Sequence, residues 1–198
     1  MILYSEANTL GSHRVRLLLA EKNLSTEIIL VDPDDVPEDL IHLNPYTSLP
    51  TLVDRDLVLY DAKVISDYID ERYPHPPMLP VEPVSRGKSR LALYRMEKDW
   101  YSLLPELSGT GATAEQARKM LTDSMIASAE VFRLKPFFLS DEYSLLDVSL
   151  APFIWRFPQM GITLPAEAQP VLDYAQRLFA RSGFQASLTD AEKDEPRQ

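Results

Sequence analysis

Short apolar runs alternate with helical patterns over the first 73 residues. Apolar or β-branched runs predict strands at residues 2–4, 27–31, 51–53 and 57–60. Apolar residues at helical spacing predict helices over residues 13–23, 37–43 and 62–72, with Ser12 and Asp61 as N-caps of the first and third. This β-α-β-α-β-β-α order predicts an α/β layer in which helices cover a small mixed sheet.

From residue 84 onward the pattern is helical and strand signals are weak. Apolar periodicity predicts helices over residues 85–107, 113–135, 144–157 and 170–181. We therefore predict an α/β domain over 1–73, a proline-rich interdomain linker over 74–84 and an all-helical domain over 85–188. The polar residues 189–198 are predicted to be a disordered tail.

The predicted linker has an unusual composition. Five of the ten residues from Pro74 to Pro83 are proline, and His75 lies among them. Each proline fixes φ and lacks a backbone donor, so neither a helix interior nor a central strand accommodates this density. Two interpretations remain open: a semi-rigid spacer between domains, or a stiff surface on which a partner docks.

Composition and charge narrow the classes of function. The 198-residue chain carries a net charge of −10, of which −8 falls on residues 1–80, with 6 Lys and Arg against 14 Asp and Glu. We therefore expect no direct binding to nucleic acid, whose phosphates need cationic neutralisation. No apolar run is long enough to span a membrane, and the absence of cysteine predicts a cytoplasmic protein without thiol chemistry.

Two motifs carry fold information, whereas the three histidines indicate no chemistry of their own. In NPYTSLPTLVD, Pro50 immediately precedes a predicted strand, and a cis Leu49–Pro50 bond is one conformation that fits there. Ser144 and Asp147 have the spacing of a capping box, which determines fold rather than catalysis. His13, His42 and His75 have no metal-ligand spacing, so we predict no metal site.

The order of elements around Leu-Pro-Thr-Leu resembles the thioredoxin-like domain of glutathione S-transferases. The resemblance implies the glutathione S-transferase fold: an α/β N-terminal thioredoxin-like domain and an all-α C-terminal domain. It also implies a vestigial glutathione site at four residues: Leu49, Pro50, Asp61 and Ala62. The family usually has Glu-Ser where this chain has Asp61-Ala62, so a hydroxyl is lost. A transferase would use Ser5 or Ser12 to stabilise the thiolate of glutathione.

A closer resemblance is to the stringent starvation protein A family, and it covers nearly the whole chain. Matching segments include SHRVRLLLAEK, SLPTLVDRDL, YIDERYPHPPMLPVEPV and FFLSDEYSLLDVSLAP. These transferase-like bacterial proteins associate with RNA polymerase during the stress response. The resemblance implies a partner-binding patch formed by Tyr73, Pro74, His75, Pro76 and Pro77.

The resemblance further implies a homodimer that contacts RNA polymerase holoenzyme and lacks ordinary transferase activity. We therefore predict a transcription regulator that acts by protein contact, with no catalytic residue and no cofactor. Two alternatives stay open: a glutathione-dependent transferase using Ser5 or Ser12, and a non-catalytic dimeric scaffold.

Overall fold

The computed structural model describes residues 1–194 and divides the chain into two compact units. The first unit contains Met1–Pro77 together with the described residues from Arg181 onward. The second contains Met78–Ala180. The predictions for residues 195–198 lie outside the described residues.

The first unit has the predicted β-α-β-α-β-β-α order. Its elements are β1 (Ile2–Ser5), α1 (Leu10–Glu21), β2 (Glu27–Leu30), α2 (Glu38–Leu43), β3 (Thr51–Asp54), β4 (Leu57–Tyr60) and α3 (Ala62–Arg72). The strands form one mixed sheet in the order β2-β1-β3-β4, in which β1 and β2 are parallel and the other pairs antiparallel. The predicted thioredoxin-like layer is confirmed.

Alternation along the strands divides the core of this unit between two faces of the sheet. Tyr4, Val31 and Leu40 form a buried cluster that joins one face to α2. Leu3 and Leu52 are opposite each other in the β1–β3 ladder and are buried on the other face. The sheet is therefore covered on both sides over its central strands.

Ser12 does not cap α1, and this prediction was wrong. The helix begins one turn earlier, at Leu10, with Thr9 as its N-cap residue. Ser12 is buried inside the first turn, where its Oγ accepts a hydrogen bond from the Glu6 N–H at 3.0 Å. Asp61, in contrast, is confirmed as the N-cap of α3.

The second unit is helical over the residues that the structure describes. Its helices are α4 (Pro83–Asp99), α5 (Leu104–Leu107), α6 (Ala112–Leu134), α7 (Leu145–Trp155) and α8 (Gln169–Phe179). The continuous helix predicted over 85–107 was wrong, because α4 ends at Asp99 and a 3₁₀ turn at Tyr101–Leu103 precedes α5. Residues 145–154 of α7 are all buried, so this helix forms the centre of the unit.

Two short helices after α8 belong to the first unit. They are α9 (Ser182–Ser187), which packs against α1, and α10 (Asp190–Lys193). The helical domain predicted over 85–188 therefore differs at its C-terminal end. The disordered tail predicted from 189 is wrong for 189–194, because Thr189 and Glu192 form a capping box and Glu192 is fully buried.

Candidate functional site

The proline patch, residues 73–77, is a sharp exposed turn that follows α3. Pro74, His75, Pro76 and Pro77 are exposed, and Tyr73 is half-buried. The His75–Pro76 peptide bond is cis. The four exposed side chains therefore offer apolar ring surface together with one imidazole that can donate or accept a hydrogen bond.

A single buried lysine holds the backbone of the proline patch. Lys22 follows α1 as its C-cap residue, and its Nζ donates to the carbonyl oxygens of Tyr73 and Pro76, both at 2.7 Å. It also forms an ion pair with Asp70 Oδ1 at 2.9 Å. An ammonium group has three N–H donors, and these three acceptors match them in number.

Because the Lys22–Asp70 ion pair is buried, replacing either residue should destabilise the fold. The side chain of Lys22 is fully buried and that of Asp70 is 5% exposed, so the two charges depend on each other for compensation. The two carbonyls belong to Tyr73 and Pro76, so the ammonium holds the backbone of the patch at two points. The exposed proline and histidine rings are therefore attached to a backbone that is already fixed before a partner binds.

Tyr73 is fixed by further contacts. It is the C-cap residue of α3, its hydroxyl lies 3.7 Å from Met1 Sδ, and the Arg72 guanidinium lies 5.2 Å from the centre of its ring. Tyr73 is thus the anchored, half-buried end of the patch. The prolines and His75 are its exposed part.

The residues predicted to form a glutathione site lie at the joined ends of two strands. Thr51 and Tyr60 are opposite each other in the β3–β4 ladder, so the residues just outside this pair, Pro50 and Asp61, are neighbours. The Leu49–Pro50 bond is cis, which the sequence left open. An ideal Cβ on Gly11 would meet both Pro50 Cδ at 3.4 Å and Ala62 Cβ at 3.6 Å, which shows how closely these residues group.

The backbone donors at the start of α3, where a carboxylate of glutathione could bind, are partly used by the protein itself. The Asp61 carboxylate accepts hydrogen bonds from the N–H groups of Lys63 and Val64 at 2.9 and 3.1 Å. Ala62 supplies no hydroxyl. These residues therefore fit glutathione poorly, although the cis proline and the helix N-terminus of the fold are present.

The two candidate catalytic serines are both fully buried. Ser5 Oγ accepts a hydrogen bond from Arg16 Nη1 at 2.6 Å and donates to the Glu6 carbonyl at 3.2 Å. Ser12 Oγ accepts from the Glu6 N–H. Ser5 thus uses its hydroxyl proton within the protein, and both hydroxyls are shielded from solvent, where glutathione would have to approach them.

Sequence reasoning missed a buried network that ties α10 to α1. The Arg16 guanidinium donates from Nη2 to both carboxylate oxygens of Glu192 at 2.8 Å, and its Nε donates to the Ser187 carbonyl at 3.0 Å. Thr189 Oγ1 adds a hydrogen bond to the Ala7 carbonyl at 2.8 Å. The signal that could have revealed it is the Thr-x-x-Glu spacing at 189–192.

The same network contains an arrangement that resembles an acid–base–hydroxyl triad. His13 Nε2 lies 3.0 Å from Ser187 Oγ, and His13 Nδ1 lies 3.3 Å from Glu192 Oε1. However, Ser187 Oγ donates to the Phe184 carbonyl at 2.7 Å, and all three side chains are buried. A nucleophile must reach its substrate, so this histidine is structural.

The predicted capping box in the helical unit is confirmed. Asp147 accepts from the Ser144 N–H at 2.9 Å, and Ser144 Oγ accepts from the Leu146 N–H at 3.2 Å. Asp147 also accepts from the Phe138 N–H and the Tyr174 hydroxyl. Burial raises the pKa of the Asp147 carboxyl above its ordinary value, while the hydrogen bonds that it accepts oppose that rise.

No group of three or more His, Asp or Glu side chains among residues 1–194 is arranged to hold a metal ion. Within the same range, no helix combines the length and apolar character needed to cross a bilayer.

The chain is similar to glutathione S-transferases in sequence over its first unit and in structure over nearly its whole length. Residues 11–72 match the family model for the glutathione S-transferase N-terminal domain. The structure aligns with glutathione transferase Omega 3C from Trametes versicolor at a TM-score of 0.85 and 20% identity, covering 96% of this chain and 84% of that one. The molecule therefore has the glutathione S-transferase fold.

Two curated relatives identify the family more closely. The chain is 46% identical to the stringent starvation protein A homolog of Pasteurella multocida, covering 95% of this chain and 90% of the relative. It is 44% identical to the homolog of Coxiella burnetii, covering 98% and 94%. The chain belongs to the stringent starvation protein A family.

Proposed function

We propose that this protein associates with RNA polymerase holoenzyme through the proline patch and regulates transcription in the stress and stationary-phase response by contact. The observation that carries the proposal is the anchoring of an exposed Pro-His-Pro turn by the buried ammonium of Lys22. A surface already held in one shape loses little conformational entropy when a partner docks. Exposed proline and imidazole rings supply apolar area with one polar group.

Charge supports a protein partner rather than direct contact with DNA. The chain carries a net charge of −10, which repels the phosphate backbone. A regulator of this charge would reach a promoter through a protein that itself binds DNA. RNA polymerase is such a protein.

The surroundings of Ser5, Ser12 and Asp61 support a role without catalysis. Thiolate activation requires a hydroxyl donor directed at the sulfur, and both serines are buried and hydrogen-bonded within the chain. The Asp61 carboxylate uses two amides at the start of α3, where an anionic ligand would bind. We accordingly propose that neither glutathione nor another cofactor takes part in the function.

The test is capture of purified RNA polymerase holoenzyme by the immobilised protein. The variant carries Pro74→Ala, His75→Ala and Pro76→Ala. A matched control carries Pro33→Ala, His42→Ala and Pro45→Ala, which alter two exposed prolines and an exposed histidine elsewhere in the same unit. The proposal expects capture by the wild type and the control but not by the patch variant. Equal capture by all three would overturn the proposed role of the patch.

We also propose that the protein acts as a homodimer. The observation that favours this is an exposed aromatic pair, Tyr46 and Tyr60, whose ring centres lie 5.4 Å apart and of which Tyr46 is 72% exposed. Tyrosine is enriched at protein interfaces, where its ring is buried and its hydroxyl can stay hydrogen-bonded. Light scattering at micromolar concentration should give twice the mass of the 22.5 kDa chain for the wild type and less for Tyr46→Ala with Tyr60→Ala. A wild-type monomer would contradict the proposal.

A further inference from the structure

The edge strand β2 has hydrogen-bonding groups that point away from the sheet. Glu27 N–H donates to the Met1 carbonyl and Val31 N–H to the Ser5 carbonyl, so these residues face β1. Because backbone groups alternate along a strand, the N–H and C=O of Ile28 and Leu30 face the open edge. Among the described strands, none pairs with that edge.

The side chains at this edge are apolar and exposed. Ile28 is 42% exposed and Leu30 is 54% exposed. Such an edge is a template for another strand unless the protein blocks it. β2 contains no proline, and its one charged residue, Glu27, lies at its first position and has its backbone directed at β1.

The segment that continues β2 is strongly acidic. Residues 23–54 contain seven Asp and Glu and no Lys or Arg. Asp32, Asp34 and Asp35 follow β2 directly and are exposed, and they take part in none of the ion pairs among the described residues. A turn in which Asp35 N–H donates to the Asp32 carbonyl at 3.0 Å holds them at the end of the strand.

We propose that the open edge of β2 binds an extended, basic segment of a partner protein as a fifth strand. Main-chain hydrogen bonds to Ile28 and Leu30 would give the pairing, and the acidic turn would select lysine or arginine in the added strand. A second copy of this chain is a poor occupant, because pairing β2 with itself would bring Glu27 and the acidic turns of two copies together. This inference does not rest on the role of the proline patch.

The electrostatic field at the strand ends agrees with a cationic occupant. Partial burial raises the pKa of the Glu6 carboxyl, and the negative charge of Asp32 raises it further. Glu6 follows β1 and Asp32 follows β2, two parallel neighbours whose C-terminal ends meet at one edge of the sheet. A lysine or arginine of a docked strand would relieve this repulsion.

The test measures binding of a labelled ten-residue peptide of alternating lysine and valine by fluorescence polarisation, with a glutamate-valine peptide as the charge control. Three variants are compared with the wild type. Asp32→Asn with Asp34→Asn and Asp35→Asn removes the acidic turn, and a control neutralises three exposed acids elsewhere: Asp56→Asn, Glu142→Gln and Glu167→Gln. Leu30→Pro removes the outward N–H without removing a bond to β1.

The proposal expects saturable binding of the lysine peptide and not of the glutamate peptide. Loss of the acidic turn should weaken binding about tenfold and flatten its salt dependence, whereas the charge-matched control should bind like the wild type. Leu30→Pro should also weaken binding about tenfold. Equal weakening in both charge variants, or no weakening in Leu30→Pro, would overturn the proposal.

Hydrogen exchange in the wild-type protein provides a measurement that needs no variant. Peptide binding should slow exchange of the Ile28 and Leu30 amides while leaving Glu27 and Val31 unchanged, since the latter already face β1. Unchanged exchange at Ile28 and Leu30 under saturating peptide would contradict a fifth strand. The proline-patch variant should bind this peptide like the wild type, which separates this inference from the polymerase proposal.

Discussion

The Lys22 ammonium lies 2.7 Å from the carbonyl oxygen of Pro76, a residue 54 positions further along the chain. This contact connects the end of α1 to an exposed cis-proline turn. The other two acceptors of the ammonium, Asp70 and the Tyr73 carbonyl, belong to the end of α3. One buried charge therefore joins two helices to the proline patch.

Removing this ammonium should destabilise the fold and loosen the patch. In Lys22→Met the side chain keeps its apolar stem, but Asp70 becomes a buried charge without its main partner and two carbonyls lose a donor. We expect a loss of about 3 kcal/mol in the free energy of unfolding, measured by urea denaturation.

A double variant separates stability from patch geometry. Lys22→Met with Asp70→Asn removes both charges, so the free energy of unfolding should recover in part relative to Lys22→Met. The Tyr73 and Pro76 carbonyls still lack their donor, and capture of RNA polymerase should therefore stay weak. If capture recovered fully along with stability, Lys22 would matter only for folding.

The Arg16–Glu192 pair should hold α10 on the first unit. Glu192→Gln keeps the size of the side chain but removes the charge that the buried guanidinium contacts through two oxygens. Removing one partner of a buried ion pair lowers the free energy of unfolding by about 3–5 kcal/mol. We expect faster hydrogen exchange over residues 182–193 and a lower denaturation midpoint. Asp190→Asn, at an exposed position in the same helix, is the control and should change little.

Asp147 should dominate the stability of the helical unit. Four donors point at its carboxylate: the N–H groups of Phe138 and Ser144 and the hydroxyls of Ser144 and Tyr174. Asp147→Ala leaves all four without this acceptor in a buried site. We expect a loss of about 3 kcal/mol or more by chemical denaturation. A loss as small as that of an exposed Asp→Ala change would contradict this assignment.

The raised pKa of Asp147 gives a pH dependence with a definite sign. The native state keeps this proton to a higher pH than the unfolded chain, whose aspartate pKa is about 3.9. The native state therefore binds more protons in that interval, and its stability falls as pH rises through it. The unfolding free energy of the wild type minus that of Asp147→Asn should decrease as the pH is raised above about 4, because only the wild type has this titrating group. A difference that increased over this range would contradict the raised pKa.

Restoring the lost hydroxyl should not produce a transferase. In Ala62→Ser the family's usual serine returns beside Asp61, yet Ser5 and Ser12 remain buried and hydrogen-bonded. We expect no measurable conjugation of glutathione to a model electrophile by the wild type or by this variant. Activity in the wild type that Ser5→Ala or Ser12→Ala abolished would favour the transferase alternative instead.

Periodicity predicted the order of elements well, because each short strand and helix of the first unit has its own apolar pattern. Hydrophobic periodicity failed where a segment is held in place by buried polar side chains rather than by apolar ones. The residues from 189 onward looked like a polar tail, yet Glu192 is buried because Arg16 compensates its charge. A local hydropathy pattern cannot show this contact, because the two residues lie 176 positions apart in the sequence.

Only part of the candidate site could be predicted from the sequence. The high proline content around His75 indicated an exposed, irregular segment, and the position of Pro50 next to a predicted strand indicated an unusual backbone there. Lys22 was not recognised, although Val15, Leu18 and Lys22 share one helical face on which the first two are fully buried. A lysine on a buried face needs acceptors, and two of them are backbone carbonyls that a sequence does not display.

The most direct test of the central claim is the affinity of RNA polymerase holoenzyme for this protein, measured by titration on a biosensor surface. The wild type should bind saturably. His75→Ala combined with Pro74→Ala and Pro76→Ala should weaken binding by at least about tenfold in protein whose circular dichroism spectrum shows that it is folded. Wild-type affinity in that folded variant, or an absence of binding by the wild type, would contradict the account.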